Sequence, residues 1–224
     1  MLYEVFSYVQ RAGIVALEGD VEEPEKSAIF TNHPEFLRDK PTRSFICDSL
    51  RMLVLGVTTP NELDHLMELD IEVQRRGRYE PVNALHAVAE ALPGLGIVAA
   101  VLGVVITMQA LSGSPETLGQ KVAAALVGTF LGILLCYGVV GPVAARLETL
   151  SETEQQFLHV LRIATVSFAR GCSPILAVEY ARRSIPLESR PSFPDMEASI
   201  KRDAKIPAIP TRGTEAGHGE TTAA

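Results

Sequence analysis

Between Pro93 and Ala145 the chain carries formal charge only at Glu116 and Lys121. The apolar runs on either side of that polar patch, ALPGLGIVAAVLGVVITMQAL and VAAALVGTFLGILLCYGVVGPVAA, contain no Asp, Glu, His, Lys or Arg. Moving a proton or cation through lipid calls for a titratable group at membrane depth. This chain can therefore form the wall of an ion path, with the hydroxyls of Thr107, Thr129 and Tyr137 and the amide of Gln109, but the titrating carboxylate has to come from another subunit. A single hairpin is also too small to enclose a path, so such a role requires an oligomer. Pro93 and Pro142 each remove a backbone donor and suit a hinge between membrane and cytoplasmic parts. Because the hairpin doubles back, both are expected near one membrane level. Gly128 and Gly132 form a GxxxG, with Gly94, Gly96, Ala99, Ala100 and Gly103 in the other run. Small residues let helices approach closely in lipid, either within the hairpin or between subunits. Arg11 and Glu18 lie seven apart, which on a helix gives them one face, as a solvated surface or a contact.

The elements that would position these residues follow from hydropathy. Each apolar run exceeds 20 residues, and at about 1.5 Å per residue it reaches roughly 30 Å, the thickness of the hydrocarbon layer. We read an all-α polytopic membrane protein with a two-helix transmembrane hairpin at 91–145, its helices at 92–112 and 121–145 and a polar turn between. A soluble core hairpin is the weaker reading, since the polar remainder of the chain cannot coat two such runs. Of 20 Lys and Arg, all but Lys121 lie outside the hairpin, with Arg75, Arg76 and Arg78 before it and Arg146 just after. That bias places both flanks in the cytoplasm. Residues 1–90 form a helical cytoplasmic segment, 146–203 a helical extension, and 204–224 a Pro-, Gly-, Thr- and Ala-rich tail expected to be disordered.

Along the flanks, helical spacing runs from Leu2 to Glu18 with Gly19 as the stop, and from Arg43 to Leu55 with Gly56 as the stop. Thr59, Pro60, Asn61 and Glu62 read as a capping box with proline in the first turn. That helix runs towards the RRGR cluster, and Pro81 restarts the chain into the first membrane helix. After the hairpin a long extension ends at Gly171, and Pro174 opens another helix. The net charge of −7 and the absence of Trp give no basis for nucleic-acid binding. Cys47, Cys136 and Cys172 are too far apart for metal-type spacing and read as apolar fillers. No cofactor, metal or catalytic constellation is visible, and the chain does not read as an enzyme. No cleavable signal precedes the hairpin, which itself must direct insertion.

LPGLGIVAAVLGVV at 92–105 and VGTFLGILLCYGVVGP at 127–142 resemble the third and fourth membrane helices of the MotA/TolQ/ExbB proton-channel family. ALEGDVEEPEKSAIF at 16–30 and ESRPSF at 188–193 resemble segments of its flagellar stator branch, the MotA type. The resemblance implies a ring of subunits in the bacterial inner membrane around a MotB dimer, whose membrane aspartate carries the ion, and a cytoplasmic region that engages the rotor protein FliG through charged residues. It implies rotor-interacting roles for Glu18 and for Arg11, the latter beside Gln10, on which the family's arginine position falls. Pro93 and Pro142 match the prolines coupling ion flow to cytoplasmic movement. Thr129 matches a threonine facing the ion path, Tyr137 a nearby aromatic, and Ala100 stands where sodium-type relatives carry threonine, which favours protons. Four membrane helices are expected of such proteins; here Met1 falls after the second, so the chain reads as a piece of, or a late start within, a longer protein, or as a shortened paralogue. Other readings are an ExbB- or TolQ-like energiser with a different partner, or a non-conducting membrane scaffold.

Overall fold

A computed structural model describes residues 1–109 and 114–203. Among these there are nine α-helices, short 3-10 turns and one π-helical segment, and no strand. The chain divides into two compact units, one comprising Pro60–Val166 and the other Met1–Thr59 with the residues from Ser167 onward. The expected tail, 204–224, and residues 110–113, where the expected first membrane helix ends and the turn begins, lie outside the described residues.

The unit from Pro60 to Val166 is built on four consecutive elements. The Pro60–Met108 helix will be called α5, after the four shorter helices that precede it; it runs 49 residues without interruption. The restart expected at Pro81 is not observed. Proline costs the carbonyl four residues earlier its donor, but Pro81 and Gly77 are both exposed, so water can serve that carbonyl and the helix continues. The return helix, α6, is Pro115–Leu135. It starts earlier than the expected 121 because Ser114 caps it, accepting a hydrogen bond from Thr117 N–H, with Pro115 at the first position and Glu116 against the positive end of the helix dipole. A π-helical stretch, Cys136–Val140, follows, and then α7, Gly141–Ala169.

α5 and α6 pack closely, and glycine makes that possible. A Cβ on Gly132 would lie 2.6 Å from the Leu92 carbonyl oxygen, one on Gly96 2.9 Å from that of Gly128, and one on Gly103 2.4 Å from the Ala125 Cβ. The outer faces are bare: Leu95, Val101, Leu126 and Phe130 are each about 60% exposed. Only 11% and 17% of the most apolar windows of the two helices are buried, with mean hydropathies of 2.3 and 2.2. A hairpin in a soluble core would have the opposite balance, so these surfaces suit lipid or neighbouring helices.

Beyond the apolar runs, α5 and α7 are bridged by long side chains. His86 Nε2 is 3.6 Å from Glu148, Arg78 pairs with Glu154, and Arg162 reaches Asp64 at 2.6 Å and Glu68 at 3.4 Å.

The other unit begins with α1, Leu2–Ala12, which buries Val5, Phe6 and Val9. It stops at Gly13, not at Gly19 as the periodicity predicts. Gly13 has φ 86°, a left-handed conformation that costs glycine little, and its N–H closes on the Val9 carbonyl. A 3-10 turn at Ile14–Leu17 leads to α2, Glu18–Glu22. After α3, Pro34–Arg38, comes α4, Lys40–Val54, capped by Asp39 and followed by Gly56 at φ 64°. Phe6 stacks on Phe168 with ring centres 4.3 Å apart, and α1 packs on α8, Pro174–Ser184. Glu179 of α8 pairs with Arg182 and Arg183, and their guanidinium groups hold its carboxyl down at about 2. Arg182 also donates to the Pro191 carbonyl, and Arg190 to those of Ile185 and Arg183. The ESRPSF segment is thus folded back on α8 ahead of α9, Phe193–Asp203.

Candidate ion-path and coupling site

A stripe along α5 collects the candidate residues of the first membrane helix. Ala89, Pro93, Gly96, Ala100, Gly103 and Thr107 recur every three or four residues and are buried or half-buried, whereas Leu95, Ile97 and Val98 beside them are exposed. Thr129 meets this stripe from α6: its hydroxyl donates to the Gly96 carbonyl at 3.2 Å. That hydroxyl proton is committed, leaving the oxygen lone pairs of Thr129 as acceptors. Thr107 is committed in the same way, to Gly103. Such a wall can accept hydrogen bonds but has no proton of its own to give up. Ala100 keeps the stripe apolar one turn beyond Gly96.

Tyr137 stands elsewhere. It is the second residue of the π segment and 73% exposed, so its side chain faces away from the hairpin's own interior. The π segment has a local cause. Pro142 has no N–H for the Gly138 carbonyl, and the ladder shifts to the wider spacing, with the Gly141 N–H donating to the Cys136 carbonyl. A Cβ on Gly141 would lie only 2.8 Å from that oxygen, so glycine is what admits it. Nothing in the hydropathy pattern announces this register change.

The two prolines do not share one level. Leu92, next to Pro93, lies against Gly132, and Pro142 follows ten residues later, roughly 15 Å along a helix axis. They bracket the π segment instead of forming a single hinge line. The GxxxG of Gly128 and Gly132 is used inside the hairpin, against Gly96, Ala99 and Leu92. Of the small residues named from the sequence, Gly94 has open space around it.

Arg11 and Glu18 are both exposed, Arg11 near the end of α1 and Glu18 at the start of α2. The break at Gly13 means that they do not share a continuous helical face. Arg11 donates to the Ser7 carbonyl. Sequence reasoning passed over Glu4 and His33, whose side chains meet at 2.5 Å across 29 residues, and over Arg162, half-hidden between two carboxylates. Long-range pairs of this kind have no local pattern to give them away.

Residues 37–159 match the profile described as the MotA/TolQ/ExbB proton channel family. Motility protein A of Escherichia coli is 36% identical over 216 residues, which cover 96% of this chain and 73% of that protein. The chain belongs to the MotA/TolQ/ExbB proton channel family. Chemotaxis protein LafT of Vibrio parahaemolyticus is also 36% identical, over 88% of this chain and 69% of its own length. In fold, the chain is similar to C. jejuni MotAB, with a TM-score of 0.70 at 22% identity over 86% of this chain and 68% of that one. The flagellar MotAB stator complex from Bacillus subtilis gives 0.66, also at 22% identity, over 84% and 66%. Membership of this family places the closely packed α5–α6 pair in a proton-channel context. The match to the family profile covers α4, α5 and α6 and much of α7, so the hairpin and its bridging rungs fall inside it.

Proposed function

We propose that the chain is a MotA-type stator subunit of the bacterial flagellar motor, forming with a MotB-like partner a proton-conducting complex that turns ion flow into torque. The observation that carries this reading is a glycine-packed membrane hairpin, in a chain of this family, that offers acceptor oxygens but no Asp, Glu, His, Lys or Arg at depth. The partner supplies the membrane aspartate, several copies of the chain surround it, and lipid covers the outer aliphatic face. The hairpin at 91–145 lies in the inner membrane, with 1–90 and 146–203 on the cytoplasmic side.

Ala100 and Thr129 line the path, with Tyr137 near it. A charge crossing the membrane potential yields about 2.3 kcal/mol per 100 mV, enough to bias a small conformational step. Pro93 and Pro142, with the π segment between them, pass that step to the cytoplasmic helices, where Arg11 and Glu18 meet the rotor protein FliG. The test is swimming of a motility-protein-deficient strain carrying the full-length protein. Pro142→Leu and Glu18→Lys should each abolish swimming while leaving the protein in the membrane; normal swimming by both variants would refute the mechanism. Ala100 assigns the ion: speed should follow the proton gradient and ignore external sodium.

A further inference from the structure

The chain needs somewhere to put the proton once it has left the membrane. His86, Pro93 and Ala100 are spaced by seven residues along the unbroken α5, so they fall within about 40° of one another around the helix. His86 lies about 10 Å beyond Pro93 on the cytoplasmic side of that stripe. It is the one imidazole in the unit that bridges to the other arm of the hairpin, with its Nε2 3.6 Å from Glu148 among the described contacts. Its side chain is 43% exposed and that of Glu148 42%, so both also face water. Glu90 stands one turn further along α5; on α7, Arg146 and Glu152 flank Glu148, and the Arg78–Glu154 pair forms the next rung.

We infer that His86 is the proton-exit residue of this complex, the first group of this chain to take the proton released by the partner's membrane carboxyl. The inference rests on the stator reading above. Imidazole is the side chain suited to taking and releasing a proton near neutral pH. The neutral ring keeps its proton on one nitrogen and offers the lone pair of the other to an incoming proton. The membrane carboxylic acid loses its proton through intervening water to that nitrogen and becomes a carboxylate. The resulting imidazolium is held beside Glu148, then gives one proton to bulk water or a mobile buffer base, which restores the neutral ring. No electrons change hands, and one proton enters the cytoplasm per cycle. Glu90 and Glu148 act as positioning and collecting groups around the ring.

The experiment uses the full-length protein with its membrane partner in vesicles, reading proton flux at low buffer and again with added imidazole. His86→Gln should lower the flux roughly tenfold at low buffer, less than the full range of acid–base effects because Glu90 and Glu148 remain. Imidazole in solution should restore it, while leaving the unaltered complex unchanged. Glu148→Gln, which leaves the ring in place, should lower the flux less. Equal flux in His86→Gln and the unaltered complex overturns the exit role while leaving the stator reading standing. A loss that imidazole fails to repair, in a complex of normal size, shows a structural role and overturns it as well. An unaltered complex that passes no protons overturns the stator reading, and the exit role with it.

Discussion

Replacing Gly132 with alanine puts a single methyl group where two backbones touch. Its Cβ would be 2.6 Å from the Leu92 carbonyl oxygen, 3.1 Å from Gly96 Cα and 3.3 Å from Gly96 N. All three are main-chain atoms, so no side chain can swing aside. An ordinary carbon–oxygen contact needs the oxygen to retreat by about 0.8 Å, which moves α5 bodily away from α6. Overpacking of this kind costs about 1–3 kcal/mol. The same movement stretches the 3.2 Å bond from Thr129 to Gly96, removing about another 0.5–1.5 kcal/mol. Gly94→Ala is the internal control, since nothing lies within 4 Å of its Cβ position. Denaturation of the purified protein in mixed micelles, followed by circular dichroism, should show an earlier midpoint for Gly132→Ala and no loss for Gly94→Ala. Coincident curves for the two variants would refute the claim that glycine is needed for the close approach.

Three further outcomes follow from the residues outside the apolar runs. Arg162→Met should destabilise the α5–α7 connection by about 1.5–3 kcal/mol, because it removes the guanidinium that reaches Asp64 and Glu68; hydrogen exchange over residues 60–70 should rise, and an unchanged pattern would refute the bridge. Glu179 is held at about 2 against an ordinary 4.5. A depressed carboxyl contributes stability in full above its unfolded value and loses it as the pH falls towards the folded one. Acid unfolding between about pH 4.5 and 2 should therefore be less steep in Glu179→Gln than in the unaltered protein. Burial, with Asp48 adding to it, pushes the Cys47 thiol up to about 11, so at pH 8 an alkylating reagent should leave it untouched until the protein unfolds.

The hairpin was legible because its signal is a composition: long uncharged runs read the same way whatever surrounds them. The helix opened by Pro60, the break near Gly56 and the start at Pro174 were legible because caps and prolines act locally. Gly13 and Gly19 illustrate the limit. Both are glycines near the end of an apolar pattern, and only the burial of Leu17 and Val21 in the folded unit decides that the chain turns at the first. Pro81 failed as a breaker because water can replace the hydrogen bond it removes, an option hydropathy does not register. The ownership of the GxxxG is a question of which backbone lies opposite, and only the fold answers it. His86 drew no notice because one histidine in a helical run is unremarkable until Glu148 appears across from it.

The π stretch at Cys136–Val140 has a consequence for how this polypeptide tolerates length changes. A π turn is one residue more than an α turn needs, absorbed without altering where the flanking segments point. Dropping a single amino acid between Cys136 and Val140 would therefore return the turn to α spacing, with the carbonyl four residues before Pro142 left without its helical donor, and still leave Thr129 and Glu148 aimed as before. The same deletion three turns earlier or later would swing everything downstream by roughly 100°. This short window is the natural place for the second arm to gain or lose a residue while its two ends keep their bearings.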